Sequence, residues 1–238
     1  MLINNLIREE NFYHHFQPIY DLNNWRILGF EVLLRSKLFP NPEATFIEAR
    51  KEKKLYELDS GSIHKAISTY RSAGLTKSKG KLFLNIFPST LLHPNFPTFL
   101  NKIIAEDVLL SQQIVLELSE SEINNKMDEL KQKIAVLKNF GFLIAIDDTG
   151  KGYSNAQSIV ELDPDFLKLD RYFSKDLHLS KKKQSYIQLL NNYSVQNDCS
   201  VILEGIETPS ELAVAKTLDI QYGQGFILGK PSLLEQII

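Results

Sequence analysis

Cysteine is almost absent from this 238-residue chain, Cys199 being the only one. An internal disulfide is therefore excluded, no thiolate metal cluster can be built from the chain alone, and a reducing compartment, the cytoplasm, is the expected setting. A surplus of one charge is also missing. The 27 lysines and arginines against 29 acids leave a formal charge of -2, so the broad basic footprint needed for polymeric nucleic acid or a membrane surface is not there. A small anionic ligand stays open, provided local arginine, lysine or bound cations receive it. Long hydrophobic runs are lacking too. Nothing is long enough to cross a bilayer, and residues 1–12, with Arg8, Glu9 and Glu10, lack the apolar core of a secretory signal. His14, His15, His64, His93 and His178 are scattered, which gives no frame for a histidine metal site or a Ser-His-Asp triad.

What the chain does have is a repeated pattern, a short apolar run ending in an acid, an amide or a lysine. It occurs at Gly29-Phe30-Glu31, Leu82-Phe83-Leu84-Asn85, Ile114-Val115-Leu116-Glu117, Leu143-Ile144-Ala145-Ile146-Asp147-Asp148, Phe166-Leu167-Lys168, Val201-Ile202-Leu203-Glu204 and at Gln224. Apolar runs of this length, rich in Val, Ile and Phe, indicate buried parallel strands. Burying a charge is costly unless it is paired or bound to metal, so one shared site is a simpler explanation than seven separate rescues. From Asn85 onward the endings are 20 to 36 residues apart, room for a strand, a loop and a covering helix. Eight such units close into a barrel whose strand C-termini converge on one face.

Helix signals fall between the runs. Thr208-Pro209-Ser210-Glu211 has an N-cap, a proline at the first helical position and a glutamate three residues after the cap. Residues 121–140 carry Ile123, Met127, Leu130, Ile134 and Leu137 at helical spacing before Gly141, and residues 59–74 form a similar helix ending in Gly74. The proline-containing stretch 92–97 reads as a loop. Residues 16–20 and 26–34 are separated by too few residues for a helical crossover, so they predict a hairpin and one antiparallel strand. No low-complexity linker or composition shift divides the chain, and its length suits one α/β barrel domain over 1–238.

Glu31, Asn85, Glu117, Asp147, Asp148 and Glu204 offer only oxygen ligands, which favour Mg²⁺, Mn²⁺ or Ca²⁺ over zinc. Five carboxylates outweigh one divalent ion, and two ions roughly 3.5–4 Å apart form the usual clamp for in-line phosphoester hydrolysis. Lys168 fits that scheme as a cation that orients water or meets developing charge, or else as a lysine that simply satisfies the acids.

With Gln17-Pro18-Ile19, Glu31-Val32-Leu33-Leu34-Arg35, Asn85, Glu117-Leu118-Ser119-Glu120, Asp147-Asp148, Lys168-Leu169-Asp170, Glu204-Gly205-Ile206-Glu207-Thr208, Gln224-Gly225-Phe226 and Gly229-Lys230-Pro231 in this order, the chain resembles the EAL domain of bacterial signalling proteins over about residues 16–231. The resemblance implies a modified (β/α)₈ TIM barrel with one antiparallel strand. It also implies a cyclic di-GMP-specific phosphodiesterase that uses two Mg²⁺ or Mn²⁺ ions to release linear pGpG, with Ca²⁺ a candidate inhibitor. Glu31, Asn85, Glu117 and Asp147 would hold one metal, and Asp147, Asp148 and Glu204 the other. Lys168 would position the attacking water, placing it with Glu31 and Glu204 at the chemistry. Gln17, Gln224 and Arg35 would contact the dinucleotide, Arg35 at a phosphate, where its planar fork suits two oxygens. Glu120, Asp170 and Glu207 would support the site, and a homodimer is implied.

The pattern is broken in places. Val32 stands for the family's Ala, Phe87 for a small polar residue, and Thr149 and Lys151 alter the loop Asp147-Asp148-Thr149-Gly150-Lys151-Gly152-Tyr153-Ser154-Asn155, which in the family couples dimer packing to metal binding. These changes motivate an alternative, a receptor or protein-interaction module that binds cyclic di-GMP without turnover. A barrel hydrolase of another phosphodiester is a third reading. Gly150-Lys151-Gly152 is too short for a phosphate-cradle fingerprint. Tyr153 and Phe226 suit either guanine stacking or packing.

Overall fold

The computed structural model describes residues 2–74, 80–106, 111–119, 123, 126–150 and 156–237. Eight strands, β1 (Phe12–Asp21), β2 (Ile27–Ser36), β3 (Lys81–Asn85), β4 (Ile114–Ser119), β5 (Leu143–Thr149), β6 (Phe166–Leu169), β7 (Ser200–Leu203) and β8 (Tyr222–Gly223), close into a barrel in sequence order. β1 runs antiparallel to both β2 and β8, whereas all other neighbours are parallel. The expected hairpin and single antiparallel strand are both present. Asp21 folds the turn: its carboxylate accepts the backbone N–H groups of Asn23 and Asn24 at 2.8 and 3.2 Å, and Trp25 takes a left-handed conformation at φ 60°.

The helices are α1 (Leu2–Arg8), α2 (Pro42–Lys51), α3 (Leu55–Ser72), α4 (Pro88–Leu91), α5 (Phe96–Glu106), α6 (Met127–Asn139), α7 (Ala156–Leu162), α8 (Arg171–Ser174), α9 (Lys181–Gln196) and α10 (Pro209–Thr217). α10 starts on the expected capping box, Thr208 accepting from the Glu211 N–H while Glu211 accepts from that of Thr208. α6 and α3 end before Gly141 and Gly74 at φ 88° and 71°, as glycine stop signals require. α3 begins four residues earlier than expected, so Asp59 lies inside it, buried, instead of opening it. The stretch 92–97 is not all loop: α5 starts at Phe96, and Pro97 is tolerated in its first turn, where no intrahelical N–H is needed. No helix among the described residues is long and apolar enough to cross a membrane.

Two apolar shells result from strand parity. The outward-facing side chains, among them Phe30, Leu82, Leu84, Leu116, Ile144 and Leu167, pack against the helices. Inside the barrel Ile19, Phe83, Val115, Ala145, Phe166 and Ile202 form a dry plug, with Phe83 edge-on to Phe166 at 5.3 Å between ring centres. A satellite cluster of Ile3, Leu6, Phe12, Leu34, Ala49 and Leu58 seats α1 against the upper part of the hairpin.

His14 lies on the hairpin face opposite the plug, buried, with its Nε2 3.0 Å from the Ser62 hydroxyl. Burial, then the charges of Lys65 and Arg35, lower its pKa from 6.5 to about 4. The fold therefore favours neutral His14, and stability that is complete above pH 6.5 drains away as pH falls towards 4. At pH 5 this amounts to about 2 kcal/mol. Urea titrations at pH 7 and pH 5 are expected to show a stability loss that His14→Gln reduces by about that amount; equal losses in both proteins would refute the assignment.

Candidate active site

The site is the next layer of the barrel above the plug. Two residues beyond a plug residue, the same face of the strand carries a polar group: Asn85 follows Phe83, Glu117 follows Val115, Asp147 follows Ala145, Lys168 follows Phe166 and Glu204 follows Ile202. On antiparallel β1 the order reverses, and Gln17 precedes Ile19 beside Glu31 in the β1–β2 register. Most of these groups stand at or near strand ends. Glu31 does not, being mid-way along β2, because that strand pairs with β3 only as far as Val32 and continues beyond the barrel rim with β1 alone.

Lys168 occupies the centre of the layer, without solvent exposure. Its Nζ lies 2.7 Å from Glu117, 2.8 Å from Glu204, 3.3 Å from Asp147 and 3.6 Å from Glu31. Burial alone would lower the pKa of this ammonium, but the four carboxylates drive it well above the ordinary lysine value. Burial pushes Glu117 well above the ordinary carboxylate range, with Lys168 opposing, and it pushes Glu204 up to about 8. Four carboxyl groups around one cation would carry a surplus of negative charge when ionised, and the upward shifts of Glu117 and Glu204 oppose that state. Gln224 ties down part of the layer: its amide donates to Glu31 at 2.5 Å and to Gln17 at 3.0 Å, and Gln17 in turn donates to the Gly229 carbonyl at 3.0 Å. Next to it Gly225 runs against the chain at Ile206, whose carbonyl oxygen would stand 2.1 Å from any added Cβ.

Simple alternation would aim Asp147 inward and Asp148 outward. The β5–β6 register instead shifts between Ile146 and Thr149, and Asp148 takes φ 57°. This bulge turns both carboxylates to the same cavity. Asp tolerates the left-handed conformation better than a bulky residue. Thr149, expected in the following loop, is the last residue of β5, paired with Leu169 and fully buried. Lys151, Gly152, Tyr153, Ser154, Asn155 and Glu120 lie outside the described residues.

Two cavities open above the layer, and Glu31 and Asp148 line both. One, of about 290 Å³, adds Asp147, Glu204, Glu207, Arg171 and Phe226. The other, of about 370 Å³, adds Asn85, Glu117 and Ser119 and runs on to an apolar wall of Pro42, Phe46 and Phe87. Phe87 is accounted for here: its ring packs on Phe46 at 5.0 Å between centres, under the Arg50 guanidinium at 4.9 Å, and its N–H donates to Asp59. Arg35 shares the inward face of β2 but is half-buried, donating to the Leu34 carbonyl at 2.9 Å, and lines neither cavity. Asp170 caps α8 by accepting the Tyr172 N–H, and Glu207 pairs with Arg171 at 2.8 Å.

Arg171, Asp59 and Glu211 were not singled out as site residues in the sequence. The capping box signals Glu211, yet its carboxylate also accepts the N–H groups of Glu207 and Asp176, at 2.9 and 3.0 Å. That fixes the connection carrying Glu204, a role visible only in three dimensions.

The donor set fits divalent cations. One oxygen each from Glu31, Glu117 and Asp147 lie within 4.8 Å of one another. Glu117 Oε2 is buried with no partner among the described residues, and Glu117 Oε1 and Asp147 Oδ1, equally buried, face only the Lys168 ammonium at 2.7 and 3.3 Å. Comparison with known proteins now becomes specific. A family model described as the EAL domain matches residues 2–231. The chain belongs to the EAL domain family.

Among curated relatives of this EAL chain, the blue light- and temperature-regulated antirepressor BluF of Escherichia coli is 29% identical over 92% of it. The cyclic di-GMP phosphodiesterases PdeA of Borreliella burgdorferi and TpdA of Vibrio parahaemolyticus are each 29% identical, over 94% and 92% of it. The chain spans 54%, 34% and 37% of these three proteins, respectively. Klebsiella pneumoniae BlrP1, solved with manganese and cyclic di-GMP, superposes at a TM-score of 0.85 with 27% identity, covering 93% of this chain and 56% of that one. A calcium and cyclic di-GMP complex of BlrP1 gives 0.83. PaMucR phosphodiesterase, at 22% identity and a TM-score of 0.87, shares the fold over 99% of this chain and 98% of its own.

Removing the central cation leaves buried acids without compensation, which typically costs about 3–5 kcal/mol. Chelator-treated Lys168→Met is expected to unfold at clearly lower urea than the parent, with added Mn²⁺ recovering part of the loss. Unchanged stability in chelator would show that Lys168 does not hold the layer together.

Proposed function

We propose that this EAL chain hydrolyses cyclic di-GMP to linear pGpG with two divalent cations, Mg²⁺ or Mn²⁺. The observation that carries the reading is the buried oxygen-donor layer, four carboxyl groups sharing one lysine as their cation, set at the mouth of an EAL barrel. Relatives named as cyclic di-GMP phosphodiesterases, and the BlrP1 complexes, supply the substrate and metal class.

Glu31, Asn85, Glu117 and Asp147 would hold one cation, and Asp147, Asp148 and Glu204 the other. When bound, the pair supplies a nucleophile at neutral pH and offsets charge on the attacking and leaving oxygens. The plug below excludes water from the floor of the site, which strengthens every electrostatic interaction above it. Lys168, at the centre of the acid layer, would orient the attacking water with its ammonium once cations draw the acids away from it. Gln224 and Gln17 fix the Glu31 carboxylate and present a polar edge to the dinucleotide, while Arg35 approaches a phosphate from the β2 extension. Asp170 and Glu207 support the loops after β6 and β7, and Glu120 belongs to the same supporting set. Ca²⁺, which suits the same oxygens but tolerates looser geometry, is read as an inhibitor.

The same reading treats residues 1–238 as one functional domain, at work in the cytoplasm as a homodimer. Val136 on α6, Phe140 at its C-cap and Val160 on neighbouring α7 are exposed and offer an apolar face for pairing. A binding role without turnover is the second reading. It draws on the BluF relative, whose name describes antirepression, and on the altered positions Thr149 and Lys151.

Chromatography of nucleotides after incubation with cyclic di-GMP and Mg²⁺ or Mn²⁺ is expected to show pGpG, absent with chelator or with Glu31→Ala. Tight binding by calorimetry without product would move the protein to the second reading.

A further inference from the structure

Arg171 is the only cationic residue lining the smaller cavity among the described residues, facing Glu31, Asp147, Asp148, Glu204 and Glu207. It opens α8, directly after the N-cap Asp170. Its aliphatic stem lies on Gly205: a Cβ added there would stand 2.4 Å from Arg171 Cγ and 2.6 Å from its Cβ. Gly205 itself sits at φ 66°, and its carbonyl accepts from Ser174 of α8 at 2.9 Å. The contact thus keys α8 to the chain between Glu204 and Glu207, and Glu211 holds that chain from the other side through the Glu207 N–H.

The head of the side chain is aimed by one partner, Glu207 Oε2 at 2.8 Å. A guanidinium has five donors, and this is the only hydrogen bond it makes to the described residues. With 57% of the side chain exposed, an ion pair of this kind adds little to stability. The arrangement makes better sense as a preset anion clamp. The stem is fixed by packing, one nitrogen is fixed by a carboxylate, and the remaining donors are left at the rim of a cavity whose acids would be occupied by cations. Planar forks of this type bind phosphate through two parallel hydrogen bonds.

We propose that Arg171 is a phosphate-binding residue of this site, receiving the phosphodiester of the cyclic dinucleotide that is not being cleaved. The assignment rests on the proposed function above. It divides the work at the mouth: the acid layer with its cations takes the reacting phosphate, and Arg171, aimed by Glu207, takes its neighbour on the same ring. Because the second contact is made alike in ground state and transition state, it governs affinity more than turnover.

Arg171→Met keeps a stem on Gly205 and removes the charged fork, while Arg171→Lys keeps the charge alone. Steady-state hydrolysis of cyclic di-GMP with Mn²⁺, run across a salt series, is expected to give a KM raised about tenfold or more for the Met variant, with kcat within about threefold of the parent. The Lys variant should fall between the two, and the salt dependence of KM should flatten in the Met variant. A Met variant with the parent's KM, or one that loses kcat at constant KM, overturns the assignment in favour of packing or loop positioning. If the parent itself neither turns over nor binds cyclic di-GMP, it is the proposed function that fails, an outcome separable from the first.

Discussion

Everything at the mouth of this barrel depends on one buried ammonium. Lys168 has four carboxyl groups within 3.6 Å and no exposure to bulk solvent, and it cannot balance them alone. The imbalance follows from parity: once Ile19, Phe83, Val115, Ala145, Phe166 and Ile202 are committed to a dry plug, the next inward position of every strand is fixed in space before its identity is chosen. Placing acids at those positions forces them together whatever their mutual repulsion. The raised pKa of Glu117 and Glu204 records first their burial and then the neighbouring acids pressed against them, with Lys168 opposing. Divalent cations relieve that crowding, so the layer is unstable by itself in just the way that favours hard metals.

Three local devices adapt a regular barrel to this task. The β1–β2 hairpin reverses one strand, which sets Gln17 beside Glu31 and near Gln224, the residue after β8. The bulge at Asp147 and Asp148 turns two consecutive carboxylates inward where a plain strand offers one. The capping box of α10 reaches beyond its helix, Glu211 binding three backbone N–H groups and thereby holding the connection that bears Glu204. Each device places a charged group with backbone hydrogen bonds or register, not with long side chains free to rotate. That rigidity is what keeps like charges from drifting apart.

Much of this was legible in the sequence because it is written in short-range pattern. The apolar runs, the short gap before Ile27, the Thr208 capping box and the glycines after α3 and α6 each depend on neighbouring residues, and each appears where expected. The acid, amide and lysine set was legible for the same reason, as a recurring polar end to an apolar run. What could not be read depends on register between distant strands. Glu31 resembles a strand terminus in sequence, yet the hairpin carries β2 past the rim. Thr149 resembles a loop residue, but the bulge pulls it into β5. Asp59, Glu211 and Arg171 have no periodicity to mark them, since their partners Phe87, Asp176 and Glu207 are 28 to 36 residues away.

The departures from the family pattern bear on the choice between enzyme and receptor through their positions. Val32 packs outward in the shell beneath the helices, Thr149 is buried in β5, and Phe87 belongs to the apolar wall of the larger cavity. None of the three replaces a member of the acid layer. A module that acted only through its outer surface would have no use for four acids around a buried lysine, because apolar side chains of similar size in such places are commonly neutral or stabilising. A receptor for the dinucleotide would need the polar rim and a cation, but not two adjacent aspartates turned inward by a strained bulge. The paired aspartates at the bulge are therefore the feature that most favours the proposed metal-assisted hydrolysis over binding alone.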